Sequence, residues 1–248
     1  MTNISAIIIS NNAELLIADC IDSVSFCDEI LVVDDGSTDK TVDIAKRMGA
    51  KVIAEKADSF AEKRNIGLRH AKGEWVLYVD TDERVSKELK LRITNYELQI
   101  TKFAAFKIKR KNFYFGNHEW PYIETLERLF KRDHFKGWHG ELHESPIVEG
   151  KVGELDGFLL HYTHRDLTSM LEKTIIWSQV EAELRLKNNH PKMTWWRFPR
   201  VMMTAFWDSY VRQQGWKVGT AGLVESIYQA FSMFITYARL WEMQNKLL

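Results

Sequence analysis

Four short apolar runs, separated by segments with helical spacing, dominate the amino-terminal third of the chain. The runs are 6–9, 30–33, 51–54 and 75–79, and each has the length of a buried strand. Between them, apolar residues recur every three or four positions, as on one face of an amphipathic helix. Strands that alternate with helices predict a mostly parallel sheet with right-handed crossovers. We therefore expect an α/β fold in which helices flank the sheet.

Two aspartates, Asp80 and Asp82, come directly after the fourth apolar run. Ligands of an open α/β sheet bind outside the carboxyl ends of its strands. Two carboxylates at this edge repel each other unless a cation lies between them, and Mg²⁺ or Mn²⁺ prefers such oxygen ligands and bridges to phosphates. The same Asp-x-Asp pattern also occurs in solvated turns and at helix starts. Asp80 and Asp82 alone therefore do not distinguish a metal site from such a turn or helix start.

A second acidic pair, Asp34 and Asp35, ends the second run and precedes Gly36 and Ser37. A carboxylate here can accept a hydrogen bond from a nucleobase or a ribose hydroxyl, and glycine lets the backbone approach a ligand closely. A helix cap is the alternative, because Ser37 and Asp39 suit the start of a helix. Capping accounts for Asp39 but not for the two acids before the glycine.

Arg64 and Asn65 lie early in the third predicted helix. The planar guanidinium of an arginine matches phosphate or base oxygens. The alternative is that Arg64 is an exposed arginine that binds no ligand. Its place in a predicted helix does not distinguish these two possibilities.

The overall composition is that of an ordinary globular protein. The 248 residues are 45% apolar and 27% charged, enough for one large domain or a domain with an appendage. The formal net charge is zero, so nothing global indicates a nucleic-acid partner. We find no signal peptide and no apolar stretch of membrane-spanning length, and we expect a cytoplasmic protein. Cys20 and Cys27 are expected to be reduced, buried thiols rather than a disulfide.

The second half of the chain has a different character. The segment 103–114 predicts one or two strands, whereas 138–144 and 158–164 predict loops or edge strands. Helical spacing returns from residue 167 onward. We expect an α/β domain over 1–165, with halves 1–90 and 91–165, and a helical extension over 166–248.

Basic and aromatic side chains interleave over 185–217, where Asp208 is the single acid. The basic residues are Arg185, Lys187, Lys192, Arg197, Arg200, Arg212 and Lys217, and the tryptophans are Trp195, Trp196, Trp207 and Trp216. This pattern is typical of a helix that lies in a membrane interface. A helix that packs its aromatic side chains on the rest of the protein is the alternative.

Three motifs in one order make the chain recognisable. They are Val33-Asp34-Asp35-Gly36-Ser37-Thr38-Asp39, Phe60-Ala61-x-x-Arg64-Asn65-x-Gly67-Leu68 and Gly73-Glu74-Trp75-Val76-Leu77-x-x-Asp80-x-Asp82-Glu83. Together they resemble family 2 glycosyltransferases of the GT-A fold, and in particular the small bacterial subgroup that includes lipopolysaccharide core glucosyltransferases. The resemblance covers residues 3–165, and the tail more loosely.

The resemblance implies a site for a nucleotide-diphospho-sugar. The residues that it assigns to the donor are Asn12, Asp34, Asp35, Arg64, Asn65 and Asp80. Asp82 is implied to bind a divalent metal, Mg²⁺ or Mn²⁺, and His161 to complete the metal or diphosphate site. The first loop departs from the family pattern, because Ala13 follows Asn12 where the family usually has glutamate, and Glu14 comes one place late.

A base must also take the proton from the acceptor hydroxyl in an inverting transfer. The Glu-Asp or Asp-Asp pair of many relatives is missing, and the subgroup instead has an aromatic-x-Gly-x-x-His-Glu pattern, found here over 138–144. The resemblance therefore implies Glu144 as the base, with Glu141 second and His143 as an orienting or phosphate-contacting residue. A surface ion pair of histidine and glutamate is the alternative.

The function expected from these residues is that of an inverting, metal-dependent hexosyltransferase. Its acceptor would be a glycan or lipid-linked sugar of the lipopolysaccharide core or another cell-surface polysaccharide, at the cytoplasmic face of the inner membrane. A nucleotidyltransferase is a weaker fit, since residues 10–14 lack its glycine-rich basic loop. A non-catalytic membrane scaffold of transferase-like fold is the other alternative.

Overall fold

The computed structural model describes residues 3–57, 59–95, 98, 101–140 and 144–246. Its strands are β1 (Ile4–Ser10), β2 (Glu29–Asp34), β3 (Lys51–Ala54), β4 (Trp75–Asp80), β5 (Glu83–Val85), β6 (Phe103–Tyr114), β7 (His118–Glu119), β8 (Glu124–Lys131), β9 (Phe135–His139), β10 (Ser145–Val148) and β11 (Lys151–Tyr162). Its helices are α1 (Ile17–Ser23), α2 (Thr41–Arg47), α3 (Phe60–His70), α4 (Lys87–Thr94), α5 (Leu167–Lys187), α6 (Arg197–Trp207) and α7 (Gly219–Lys246).

The chain forms two compact units. The first, which we call the sheet unit, comprises the described residues of Met1–Lys111 and Glu124–His161. The second, the helical unit, comprises those of Asn112–Ile123 and Tyr162–Leu248.

A mixed sheet forms the centre of the sheet unit, in the order β3-β2-β1-β4-β8-β6-β11-β5. The four strands predicted from the apolar runs pair in parallel, whereas β8 is antiparallel to both β4 and β6. The expected α/β fold with a parallel amino-terminal half is confirmed. The segment 103–114 is a single strand, one of the two predicted possibilities. The prediction of a loop or edge strand over 158–164 is wrong for 158–162, which belongs to an interior strand because β5 pairs along the outer side of β11.

Close packing joins α3 to the sheet. Gly67 of α3 lies so near β1 that a Cβ atom would come within 2.4 Å of Ile7 Cγ2. Ile7 and Ile66 are buried in the same apolar cluster as Tyr78. This contact fixes the height of α3 over the strand ends, where the functional side chains are found.

The helical unit is built from α5, α6 and α7. Its apolar centre consists of Ala182, Met193, Tyr237 and Leu240. No residue of α6 is fully buried, although Phe198 packs its ring against Phe234 at 5.9 Å between centroids. Throughout the described part of the chain, no helix combines the length and the apolar character that crossing a bilayer requires.

Candidate active site

Three strand ends meet at one edge of the sheet. In β1, Ile9 pairs with Asp80 of β4, and Ser10 pairs with Asp34 of β2. The register therefore brings the two acidic pairs of the sequence to either side of the end of β1, as the parallel topology requires.

The carboxylate of Asp34 shapes the turn after β2. Its Oδ2 accepts hydrogen bonds from the backbone N–H groups of Gly36 at 3.1 Å and Ser37 at 3.0 Å, and its Oδ1 accepts one from the Ser37 hydroxyl. Gly36 has φ +80°, which a residue with a side chain rarely adopts. Asp35 instead forms an ion pair with Lys63 of α3, at 2.5 Å.

The loop after β1 interlocks with this turn. Asn12 Oδ1 accepts the N–H of Thr38 at 2.8 Å, and the Asn12 N–H donates to Ser37 Oγ at 2.9 Å. Glu14, displaced by one position from the family pattern, accepts the N–H of Lys40 at 3.1 Å. The two loops thus form one hydrogen-bonded rim.

Arg64 is buried beneath this edge and binds two carboxylates. Its Nη2 lies 3.0 Å from Asp80 Oδ1, and its Nε lies 3.0 Å from Glu144 Oε1. The guanidinium also lies over the ring of Trp138, 4.9 Å from the centroid. Its third nitrogen, Nη1, is buried and has no hydrogen-bond partner among the described residues. Arg64 is therefore not the exposed helix residue that the sequence left open.

A second arginine holds Asp80 from the other side. Arg128 Nη2 of β8 lies 2.9 Å from Asp80 Oδ2 and 3.4 Å from Glu83 Oε1. Burial alone would raise the pKa of Asp80, but the guanidiniums of Arg128 and Arg64 outweigh it and hold that pKa well below its usual range. Asp80 is thus an ionised, fixed acceptor at neutral pH.

Glu83 is a fully buried carboxylate that connects these groups. Its Oε2 accepts the Asp80 N–H at 3.0 Å, and its Oε1 lies 3.0 Å from Arg110 Nη1. Arg110 also pairs with Glu124. Sequence patterns did not mark Glu83 and Arg110 as parts of the site. The available signal for Glu83 was its position directly after Asp80-Thr81-Asp82.

Asp82 and His161 form a separate pair. His161 Nε2 lies 3.3 Å from Asp82 Oδ2, because β11 pairs His161 opposite Glu83 of β5. Among the described residues no group of three or more acidic, histidine or cysteine side chains could hold a metal ion. A carboxylate and an imidazole nevertheless fit a divalent ion that takes its other ligands from phosphates and water.

A cavity of about 380 Å³ lies beside the charged cluster. Arg64, Arg128, Trp138 and Glu144 are among the residues that line it. Asn65 fixes one wall, since its Nδ2 donates to the carbonyl of Trp138 at 2.9 Å and its Oδ1 accepts the Trp138 N–H at 2.8 Å.

Two sequence predictions lie outside the described residues, namely Glu141 as the second candidate base and His143 as its orienting partner. Glu144 is described and lines the cavity. Its role as the base stays a prediction. The assignments to the donor and to the metal also stay predictions, namely Asn12, Asp34, Asp35, Arg64, Asn65 and Asp80 for the donor and Asp82 and His161 for the metal.

Comparison of the amino-acid sequence with known proteins identifies the family of the chain. The family model for glycosyl transferase family 2 matches residues 5–150, more than half of the chain. An uncharacterised glycosyltransferase of Rickettsia typhi is 29% identical, and the match covers 99% of this chain and 89% of that protein. The lipopolysaccharide core biosynthesis glycosyltransferase LpsC of Rhizobium meliloti is 25% identical over 96% of this chain and 92% of its own length.

A solved structure agrees on the fold. The mannosyltransferase PcManGT from Pyrobaculum calidifontis, determined with GDP-Man and Mn²⁺, superposes with a TM-score of 0.57 at 14% identity. That match covers 97% of this chain and 88% of the other. The strand-end site thus lies on a GT-A scaffold, and the chain belongs to glycosyl transferase family 2.

Proposed function

We propose that the protein is an inverting, metal-dependent hexosyltransferase that moves a sugar from a nucleotide-diphospho-sugar to a glycan or glycolipid hydroxyl. The observation that carries this proposal is the side-by-side arrangement of the Asp82–His161 pair and the Asp80–Arg64–Glu144 chain. The first can hold a metal at the donor diphosphate. The second ends in a carboxylate at a cavity large enough for a sugar ring.

The donor would bind along the rim at the strand ends, within residues 1–90. Asp34 or Asp35 would contact the base, with Asn12 and Asn65 nearby in the same half, and Asp80 would face the ribose or the donor sugar. Asp82 and His161 would hold Mg²⁺ or Mn²⁺, which supplies Lewis-acid stabilisation of the departing diphosphate when bound. PcManGT, with its GDP-Man and Mn²⁺, is consistent with this kind of donor.

Glu144 would take the proton from the acceptor hydroxyl as the new glycosidic bond forms. Its position in the cavity wall and its hydrogen bond from Arg64 keep the carboxylate oriented. Glu141 is the second candidate for the base, and His143 would orient whichever carboxylate acts. The acceptor would lie over residues 91–165.

The acceptor we propose is a sugar of the lipopolysaccharide core or another cell-surface polysaccharide. The similarity to LpsC supports this choice. The helical extension over 166–248 supports it as well, because Trp195 is 82% exposed and Trp207 is 64% exposed. Arg197 and Arg200 lie over the ring of Trp196, at 5.2 and 5.9 Å from its centroid. The segment from Trp195 through α6 therefore suits the anionic inner leaflet, where the enzyme would act as a peripheral cytoplasmic protein.

The test of the transfer reaction is a screen of nucleotide sugars with Mn²⁺, read out by release of nucleoside diphosphate with and without core oligosaccharide acceptors. We expect acceptor-dependent release, abolished by Asp82→Ala and strongly reduced by Glu144→Gln. Asp43→Asn, which alters an exposed acid of α2, is the control. Pyrophosphate release would indicate a nucleotidyltransferase, and a protein that binds nucleotide without any transfer would be a scaffold.

The membrane proposal has its own test. Flotation with vesicles that contain anionic lipid should carry the protein upward, and replacing Trp195 and Trp207 with Ala should leave it at the bottom. Equal flotation of that variant, or no flotation of the natural protein, would contradict the assignment. Transfer to soluble oligosaccharide should continue in either case.

A further inference from the structure

A second cavity, of about 230 Å³, lies in the helical unit. Lys173 and Trp177 of α5 line it together with Gln229 and Ser232 of α7 and with His164, which precedes α5. None of these side chains has a place in the proposed transfer reaction.

The helix contact around this cavity mixes buried polar and apolar side chains. Ala182 and Leu240 make the far end apolar. Near the cavity the buried side chains include the polar Thr174, Ser178 and Glu225 beside the apolar Met170 and the ring of Tyr228. Buried polar groups cost free energy unless all are hydrogen-bonded, and an apolar contact would hold two helices together at least as well. The buried polar groups at this end of the helix pair therefore suit a binding function.

A buried acid–histidine pair supports the cavity wall. Glu225 is 1% exposed, and its two carboxylate oxygens lie 2.9 and 3.0 Å from His164 Nδ1. Gln229 Nε2 donates to the same carboxylate at 2.7 Å. His164 also has φ +45°, a strained conformation for a residue with a side chain. Because Glu225 engages Nδ1, Nε2 is the ring nitrogen that can serve a ligand.

The cavity combines a flat ring, hydrogen-bonding groups and a cation. Trp177 is 37% exposed and offers an aromatic face on which the apolar side of a pyranose can stack. Gln229 and Ser232 provide the amide and hydroxyl groups that hold sugar hydroxyls. Lys173 brings a positive charge of the kind that binds phosphate or carboxylate.

We propose that this cavity binds an anionic sugar, a pyranose that carries a phosphate or carboxylate group. The ligand could be free in solution or could be one residue of a larger glycan, and both present the same chemistry to the cavity. The site goes beyond the proposed transfer reaction and does not depend on it.

The experiment is calorimetric titration of the full chain with glucose 6-phosphate, glucose and inorganic phosphate, followed by core oligosaccharide with and without its phosphates. We expect the sugar phosphate or the phosphorylated oligosaccharide to bind at least about tenfold more tightly than its unphosphorylated counterpart, equivalent to about 1.4 kcal/mol. Binding of glucose 6-phosphate would identify a free sugar, and binding of the oligosaccharide alone would identify a glycan residue.

The variants Lys173→Met and Trp177→Ala should each weaken this binding about tenfold or more, a loss of about 1.4 kcal/mol. The matched controls are Lys187→Met on the same helix and Trp241→Ala on α7, which should bind as the natural protein does. Asp82→Ala should also bind normally, which separates this cavity from the donor site. The proposal is overturned if no phosphorylated probe binds, if both cavity variants bind normally, or if Asp82→Ala abolishes binding.

Discussion

Arg128 Nη2 lies 2.9 Å from Asp80 Oδ2, so a buried arginine of β8 holds the aspartate at the end of β4. Burial on its own would lower the pKa of Arg128, but Asp80 and Glu83 together raise it above its ordinary value. The arginine is therefore permanently charged. Its removal leaves Asp80 with Arg64 and Glu83 with Arg110, so each buried carboxylate loses one of its two arginine partners among the described residues.

Replacing Arg128 with Met should lower the free energy of unfolding by about 3–5 kcal/mol, the usual cost of breaking a buried ion pair. Urea denaturation followed by circular dichroism measures this change. Lys131→Met on the same strand is the control, because the ion pair of Lys131 with Glu74 is solvent-accessible and worth less than about 1 kcal/mol. A similar decrease in the free energy of unfolding in both variants would show that Arg128 stabilises the protein no more than an exposed lysine does.

The contribution of Asp80 to stability should depend on pH in a defined direction. The pKa of Asp80 is depressed in the folded protein, so its stabilising effect is complete above the unfolded value of about 3.9 and is lost as the pH falls. We expect Asp80→Asn to be less stable than the natural protein near neutral pH and the difference to shrink below about pH 4. Urea unfolding of both proteins across this range measures the difference. A difference that stays constant would contradict the depressed pKa.

His161→Ala should raise the Mn²⁺ concentration needed for half-maximal transfer. Loss of an outer partner of a metal ligand typically costs about 10–100-fold in affinity, and a direct ligand should cost at least as much. Titration of activity with Mn²⁺ gives the value, and His70→Ala, on the exposed end of α3, is the control. An unchanged Mn²⁺ requirement would remove His161 from the metal site.

Gly67→Ala should destabilise the protein although alanine is the better helix former. The added methyl would meet Ile7 Cγ2 at 2.4 Å, and overpacking of this kind typically costs about 1–3 kcal/mol. Thermal unfolding compares the variant with Arg69→Ala, which changes an exposed position of the same helix. In an Ile7→Ala background, which lacks the Cγ2 methyl, Gly67→Ala should cost less stability than it does in the natural protein. A stabilised Gly67→Ala protein would mean that α3 can move away from β1.

The Cys20 thiol should be unreactive in the native protein. Burial raises the pKa of this thiol above its ordinary value, and the Cys20 Sγ lies 3.4 Å from the carbonyl oxygen of Asp80. A Cys27→Ser variant isolates it for reaction with a chromogenic disulfide at about pH 8, where a free thiol of ordinary pKa is partly ionised. We expect reaction only after denaturant is added, and prompt labelling of the folded protein would contradict this burial.

Sequence patterns predicted the strand ends and the acids on them because apolar runs mark buried strands and the topology brings their ends together. They did not predict Arg110, Arg128 and Glu83 as one buried cluster. In the sequence these residues look like the solvated charges of ordinary strands, since only the pairing of β8 with β4 and of β6 with β8 removes them from water. The contact of Arg64 with Glu144 could not be predicted from sequence patterns either, because it joins residues that are 80 positions apart.

The position of Arg64 limits how the donor specificity of such an enzyme can change by evolution or by protein engineering. One guanidinium serves Asp80, on the side where we place the donor, and Glu144, on the side where we place the acceptor. A substitution that reshapes the donor pocket through Asp80 therefore also shifts the group opposite the acceptor. Altered donor choice in this scaffold should come from paired substitutions, and libraries that vary the two sides together should yield more active variants than libraries that vary either side alone.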